Sequence, residues 1–116
     1  MKTILIAEDT DSNFMLLEII LRKKFNLIRA YDGQQALEML ANEKPDLILM
    51  DLKMPVMDGL TATREIRKNN TEIPIIALTA NVFDSDREKS IEAGCNEYIP
   101  KPVIAPELLA LIDKYI

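Results

Sequence analysis

No histidine and no tryptophan occur in the 116 residues, and cysteine occurs once, as Cys95. A lone thiol closes no disulfide within the chain. Without imidazole, Ser/His/Asp triads, Cys/His dyads and zinc sites built on nitrogen or on several thiolates are all excluded. Glycine is scarce too. Gly33, Gly59 and Gly94 are the only copies, and they are spaced for neither a G-x-x-x-x-G-K-[ST] phosphate loop nor a G-x-G-x-x-G fingerprint. No apolar run reaches the roughly 18 residues of a membrane span, and Met1-Lys2 leads straight into an apolar, β-branched segment. Neither membrane insertion nor a signal peptide is expected, and a reducing cytoplasm is the expected compartment. Positive charge is in deficit: 14 Lys and Arg against 19 Asp and Glu leave −5, which argues against direct nucleic-acid binding as the chain's own task.

What is present is one core. Of the residues, 48% are apolar, and a chain of this length buries about 60–70% of the surface it exposes when unfolded, so 1–116 reads as a single domain. Short apolar runs alternate with longer amphipathic segments five times. Strands are expected at Thr3–Ala7, Leu27–Tyr31, Leu47–Met50, Ile75–Leu78 and Glu97–Ile99. Between them, helices are expected from a cap at Asp11 or Ser12 to about Lys24, around Ala36–Leu40 ending near Asn42, and from Gly59 to Lys68 behind an Asp58 cap. A fourth runs from Asp84 to Ala93 and stops at Gly94, and the last carries Pro106 in its first turn and reaches Tyr115. Strands this apolar need cover on both faces, and each helix is long enough for a crossover, so the sheet is parallel. Five βα units are too few for an eight-stranded barrel. An α/β, doubly wound, five-stranded parallel sheet with five helices on both faces follows, with ligands expected beyond the carboxyl ends of the strands.

Those ends carry the chemistry. Glu8 and Asp9 follow strand one, Asp51 strand three, Thr79 strand four and Lys101 strand five; Tyr31-Asp32-Gly33 after strand two reads as an ordinary turn. Three carboxylates on one rim repel one another unless a cation joins them. An all-oxygen donor set selects a hard ion, and so few carboxylates suit one that keeps its waters, Mg²⁺ or Mn²⁺, better than a Ca²⁺ cage. A lysine and a hydroxyl beside the metal could hold the oxygens of a phosphoryl group, and Asp51, ending the middle strand, is the candidate nucleophile for an aspartyl phosphate.

The segments ILIAED (4–9), LILMDLKMPVMDG (47–59), IIALTAN (75–81) and YIPKP (98–102) closely resemble the receiver domain of two-component response regulators, over the whole chain. The resemblance implies a flavodoxin-like sheet of strand order 2-1-3-4-5. It implies that Asp51 accepts a phosphoryl group from the phosphohistidine of a sensor histidine kinase or histidine phosphotransfer domain. Mg²⁺ would be held by Glu8, Asp9, Asp51 and the backbone carbonyl of Lys53, and the phosphoryl oxygens by Thr79 and Lys101. Tyr98 falls where the family carries a switch aromatic, Lys101-Pro102 at a bond that is cis in the family, and Lys53 and Asn81 where the phosphoryl lifetime is tuned. Glu8 stands where aspartate is also common, its extra methylene still reaching the metal through water. The output would be a change in binding, to a phosphorelay partner or a separate downstream protein, unless the chain is one piece of a longer protein, since it reaches Ile116 with no effector module. MDLKMPVMDG and ALTAN look more like hybrid-kinase or single-domain receivers than like those fused to DNA-binding domains.

Helical arithmetic adds a surface. At 100° per residue Phe14, Leu17, Ile20 and Leu21 share the core face of helix one, while Met15 and Ile19 fall outside it and are expected to help dock the phosphodonor, unless helix five covers them. Met50, Met54 and Cys95 read as packing residues. Two other functions are weaker. A small-molecule phosphatase would want a second carboxylate two residues after Asp51, where Lys53 stands. A receiver-shaped module that is never phosphorylated would have no physical need of all five rim residues.

Overall fold

The computed structural model describes residues 1–80 and 84–116; Asn81 lies outside them. Five strands, β1 (Thr3–Ala7), β2 (Asn26–Ala30), β3 (Leu47–Asp51), β4 (Ile75–Thr79) and β5 (Glu97–Pro100), alternate with α1 (Asp11–Leu21), α2 (Gly33–Glu43), α3 (Gly59–Arg67), α4 (Asp84–Ala93) and α5 (Ala105–Tyr115). All strand pairs are parallel, in the order β2-β1-β3-β4-β5. The order reverses between β1 and β3, so the crevice of a flavodoxin-like sheet opens above those two strands.

The two-residue period of each strand sorts its side chains into two cores. Leu5, Ala7, Ile48, Met50, Ile75 and Ala77 pack with Ala36, Ala62 and Ile66 of α2 and α3. Their neighbours Ile4, Ile6, Leu47, Leu49, Ile76 and Leu78 pack with Leu17 and Leu21 of α1 and Leu108 and Ile112 of α5. Because the three central strands are buried on both sides, their sequences show continuous apolar runs in place of alternation.

Caps decide where helices begin. The Asp58 carboxylate accepts from the Thr61 N–H at 2.8 Å, as the sequence suggests. Asp32, read as a turn residue, does the same for α2, accepting from the Gln35 N–H at 2.8 Å. At α1 the expectation fails at both ends. Its N-cap is Thr10, with no side-chain cap bond, and Asp11 stands inside the first turn, paired with Arg29 at 2.9 Å. The helix stops at Leu21, where the N–H groups of Lys24 and Phe25 both turn back onto the Leu21 carbonyl, at 3.0 and 3.1 Å. Gly94, with φ of 119°, ends α4 in a conformation that side chains resist. Pro106 sits in the first turn of α5, and Lys101-Pro102 is cis.

Gly59 serves a close approach. A Cβ there would lie 2.2 Å from the Asp51 carbonyl oxygen, so only glycine lets the start of α3 fold back against the end of β3. Between them Val56 has φ of 66°, spanned by a 2.7 Å bond from the Met57 N–H to the Pro55 carbonyl. This three-residue turn is tight and costly for a β-branched residue. Met54 and Met57 of the same loop lean on the core, Met50 is fully buried, and Cys95 is buried against Thr63, its sulfur 3.7 Å from the hydroxyl.

Candidate functional site

Register brings the rim residues together. Ala7 is level with Met50, Asp51 with Leu78, and Thr79 with Pro100, so Glu8, Asp51, Thr79 and Lys101 emerge at one height from β1, β3, β4 and β5. Asp9 follows on the turn into α1. One oxygen from each of Glu8, Asp9 and Asp51 lies within 4.8 Å of the others. Glu8, Asp51 and Thr79 are buried, at 0, 4 and 1% exposure, and Asp9 is open to solvent.

Lys101 reaches into this group. Its ammonium is 2.7 Å from Glu8 Oε1 and 3.5 Å from Asp51 Oδ1. Asp51 Oδ1 also accepts from the Lys53 N–H at 3.2 Å, and Glu8 Oε2 from the Thr10 N–H at 3.4 Å. Burial, then the hydrogen bond and negative charge of the facing Glu8, push the Asp51 carboxyl up to about 7; Lys101 and the Lys53 N–H pull the other way. Glu8 feels the same burial, but its bonds to Asp51 and Lys101 outweigh it and hold this carboxyl below its ordinary range. Glu8 is thus the partner whose ionised form is favoured, and Asp51 the one whose carboxyl is pushed up.

The donor set fits a hard divalent ion. It is all oxygen, it leaves one side open at Asp9 for ion-bound waters, and it holds two buried carboxylates that a single ammonium does not fully neutralise. Such an ion would be held by Glu8, Asp9 and Asp51 and would supply positive charge opposite phosphoryl oxygens.

The other site candidates lie at varying distance from this centre. Tyr98 stands on β5 level with Ala77, half-buried. The Lys53 side chain is exposed, its backbone turned onto Asp51. Met15 and Ile19 are on the outer side of α1, 56 and 62% exposed, so α5 does not cover them. One residue near the rim gave no signal in the sequence. Arg29, within a five-residue strand, donates through Nε to the Glu8 carbonyl at 3.1 Å.

A family model, response regulator receiver domain, matches residues 4–113. The chain belongs to that family. The receiver domain is 34% identical over 118 residues to the polar-differentiation response regulator DivK of Brucella anthropi, covering 99% of this chain and 96% of DivK. It is 43% identical over 81 residues to the response regulator MprA of Mycobacterium ulcerans, where the match covers 70% of this chain and only 35% of MprA. Thus the chain spans about a third of the length of the MprA relatives it matches. Among solved structures it is similar to the receiver domain of sensor histidine kinase PA1611 from Pseudomonas aeruginosa, which has a magnesium ion coordinated in the active site cleft. That match has TM-score 0.91, 40% identity and coverage of 98 and 96%. It is also similar to a chain in the co-crystal of the Saccharomyces cerevisiae histidine phosphotransfer signaling protein Ypd1 and the receiver domain of its downstream response regulator Ssk1. There the TM-score is 0.91, with 32% identity and coverage of 98 and 88%. The receiver domain is therefore a signalling domain of two-component systems. No helix among the described residues is long and apolar enough to cross a membrane.

Proposed function

We propose that this receiver domain accepts a phosphoryl group on Asp51 from the phosphohistidine of a sensor kinase or histidine phosphotransfer protein, and that the modified domain switches its binding to a downstream protein. The observation that carries the reading is the Asp51 carboxylate, buried at the end of β3 with an ammonium at 3.5 Å and two more carboxylates beside it. A scaffold has no use for so costly a cluster. In the transfer, an Asp51 oxygen attacks phosphorus as the P–N bond to the donor imidazole breaks, the electron pair returning to the ring nitrogen. Lys101 and the Thr79 hydroxyl bind the phosphoryl oxygens, and Mg²⁺, or Mn²⁺ in its place, is held by Glu8, Asp9, Asp51 and the Lys53 carbonyl. Attack of water on the same phosphorus returns Asp51 and inorganic phosphate, so the domain promotes both its own phosphorylation and its own dephosphorylation.

Adding a charge of about −2 at Asp51 draws on Thr79, and Tyr98 on the next strand responds, shifting an equilibrium between two conformations. The single buried thiol and the charge of −5 support a cytoplasmic protein that leaves nucleic acid to its partners. Incubation with Mg²⁺ and a small acyl phosphate, followed by intact-mass measurement, is expected to add about 80 Da once per chain. Steady turnover of an organic phosphate without a labelled chain would defeat the reading.

Docking of the donor is assigned to α1, which starts two residues beyond Asp9. Met15, Leu16 and Ile19 leave an apolar patch there, exposed at 56, 43 and 62%. The Ssk1 receiver was crystallised with a histidine phosphotransfer protein, which supports a partner of that kind. Met15→Glu with Ile19→Glu is expected to slow transfer from a histidine phosphotransfer protein about tenfold, a loss of roughly 1.4 kcal/mol of association. Labelling by the small acyl phosphate should stay within about twofold. Equal slowing of both donors would remove α1 from the docking surface.

A further inference from the structure

The turn that carries Glu8 and Asp9 is only three residues long, from the end of β1 at Ala7 to the start of α1 at Asp11. Asp9 itself is exposed. Its direction therefore depends on the peptide plane between Glu8 and Asp9. The Glu8 N–H side is tied to β2 by a 3.0 Å bond to the Ala30 carbonyl. On the other side the Glu8 carbonyl lies past the last strand residue, and the group that takes it is the Arg29 Nε–H, at 3.1 Å.

Arg29 is itself held on several sides. Its guanidinium lies over the Phe14 ring at 4.5 Å and over the Tyr31 ring at 4.1 Å. One terminal nitrogen pairs with Asp11 at 2.9 Å, and the side chain is 14% exposed. So one side chain on β2 grips the oxygen of the Glu8-Asp9 peptide, the first residue of α1 and the aromatic ring one turn further on. The planar fork suits this; a lysine has neither the Nε–H nor a flat face to stack. Arg29 touches neither a carboxylate of the cluster nor a reacting atom.

We propose that Arg29 is a positioning residue that sets the divalent-metal affinity of the site by fixing the Glu8-Asp9 turn. The proposal rests on the assignment of Glu8, Asp9 and Asp51 as the metal-holding carboxylates. Its sign separates it from simple electrostatics. Removing a positive charge near a cation site should tighten metal binding if charge alone matters. Removing a brace from outside the ligand set should weaken it, by a factor of ten or more in sites of this kind.

The test is a Mg²⁺ titration followed by the backbone amide NMR shifts of Glu8, Asp9 and Thr10, with labelling by acyl phosphate measured across Mg²⁺ concentration. Arg29→Ala is expected to raise the Mg²⁺ dissociation constant roughly tenfold. The labelling rate at saturating Mg²⁺ should stay within about twofold. Arg29→Lys keeps the charge and is expected to stay at least about fivefold weaker than the parent. Tyr31 is 49% exposed, so Tyr31→Leu keeps the fold intact even if Arg29→Ala does not, and it should weaken Mg²⁺ about threefold through the lost stacking. Unchanged or tighter Mg²⁺ binding in these variants overturns the positioning role while leaving the site standing. A parent chain whose Glu8 to Thr10 signals do not respond to Mg²⁺ overturns the metal assignment itself.

Discussion

Asp51→Asn is expected to abolish the mass gain from acyl phosphate and, in the absence of metal, to stabilise the fold above neutral pH. The first effect is chemical, since the amide offers no carboxylate nucleophile, and labelling should fall to background. The second follows from linkage. The Asp51 carboxyl is pushed up to about 7 in the folded chain from 3.8, so between those values the folded state holds a proton that the unfolded state has lost. Stability therefore falls as pH rises through that window, and the full penalty is present above about 7. Asparagine carries no charge at any pH. The variant should gain on the order of 2–4 kcal/mol over the parent at pH 8, and little at pH 4, close to the unfolded value of 3.8, where the folded parent is still neutral at this position. Urea denaturation in EDTA at the two pH values measures this. Adding Mg²⁺ should stabilise the parent more than the variant. A variant that is less stable than the parent at pH 8 would show that the carboxylate cluster is not under electrostatic strain.

Lys101→Ala is expected to be the most destabilising single change at the rim. Its ammonium touches Glu8 at 2.7 Å, with side-chain exposures of 17 and 0%, and truncation leaves that carboxylate buried beside Asp51 with no cation. Loss of one partner from a buried pair costs about 3 kcal/mol or more. The pH dependence runs opposite to that of Asp51→Asn. Glu8 is held below its ordinary value near 4.5, so the stabilisation it draws from Lys101 is present above that value and is lost as pH falls through the folded one. The cost of Lys101→Ala is thus fully present above the ordinary value of 4.5 and fades only as pH falls below it. Because Mg²⁺ replaces the missing charge, it should raise the melting temperature of the variant by more than that of the parent. Labelling should still fall about tenfold to a hundredfold, as one contact to the phosphoryl oxygens is gone. A variant with parental stability at pH 7 would mean that Lys101 stands clear of the carboxylates in solution.

The two predictions share a cause. Glu8 and Asp51 compete for one ammonium, and the difference between 2.7 and 3.5 Å gives it to Glu8. Asp51 is left as the strained partner, the one a divalent cation would relieve. Burial thus keeps Asp51, the proposed nucleophile, well above the ordinary carboxylate range.

The central strands could be read from the sequence because strands covered on both faces leave unbroken apolar runs, and β1, β3 and β4 begin at Thr3, Leu47 and Ile75, as those runs suggest. Asp58, Gly94 and Pro106 announced helix ends because caps act within four residues of chain. The start of α1 misled: Asp11 is a good local cap by residue type, but it stands inside the first turn, paired with a residue 18 positions away in sequence, at Arg29. Asp32 was passed over as a turn, although Gln35 lies at capping distance.

The amino-acid order alone determined the alternating βα layout, the parallel sheet and the rim chemistry of Glu8, Asp9, Asp51, Thr79 and Lys101, because period, run length and residue type are local properties. Tertiary structure alone decided that Lys101 closes on Glu8 before Asp51, that the Asp51 carboxyl is the one pushed up, and that the Arg29 Nε–H meets the Glu8 carbonyl. Those outcomes depend on distances of 2.7 to 3.5 Å between residues from 21 to 93 positions apart, and only the packing of four strands against one another fixes such distances.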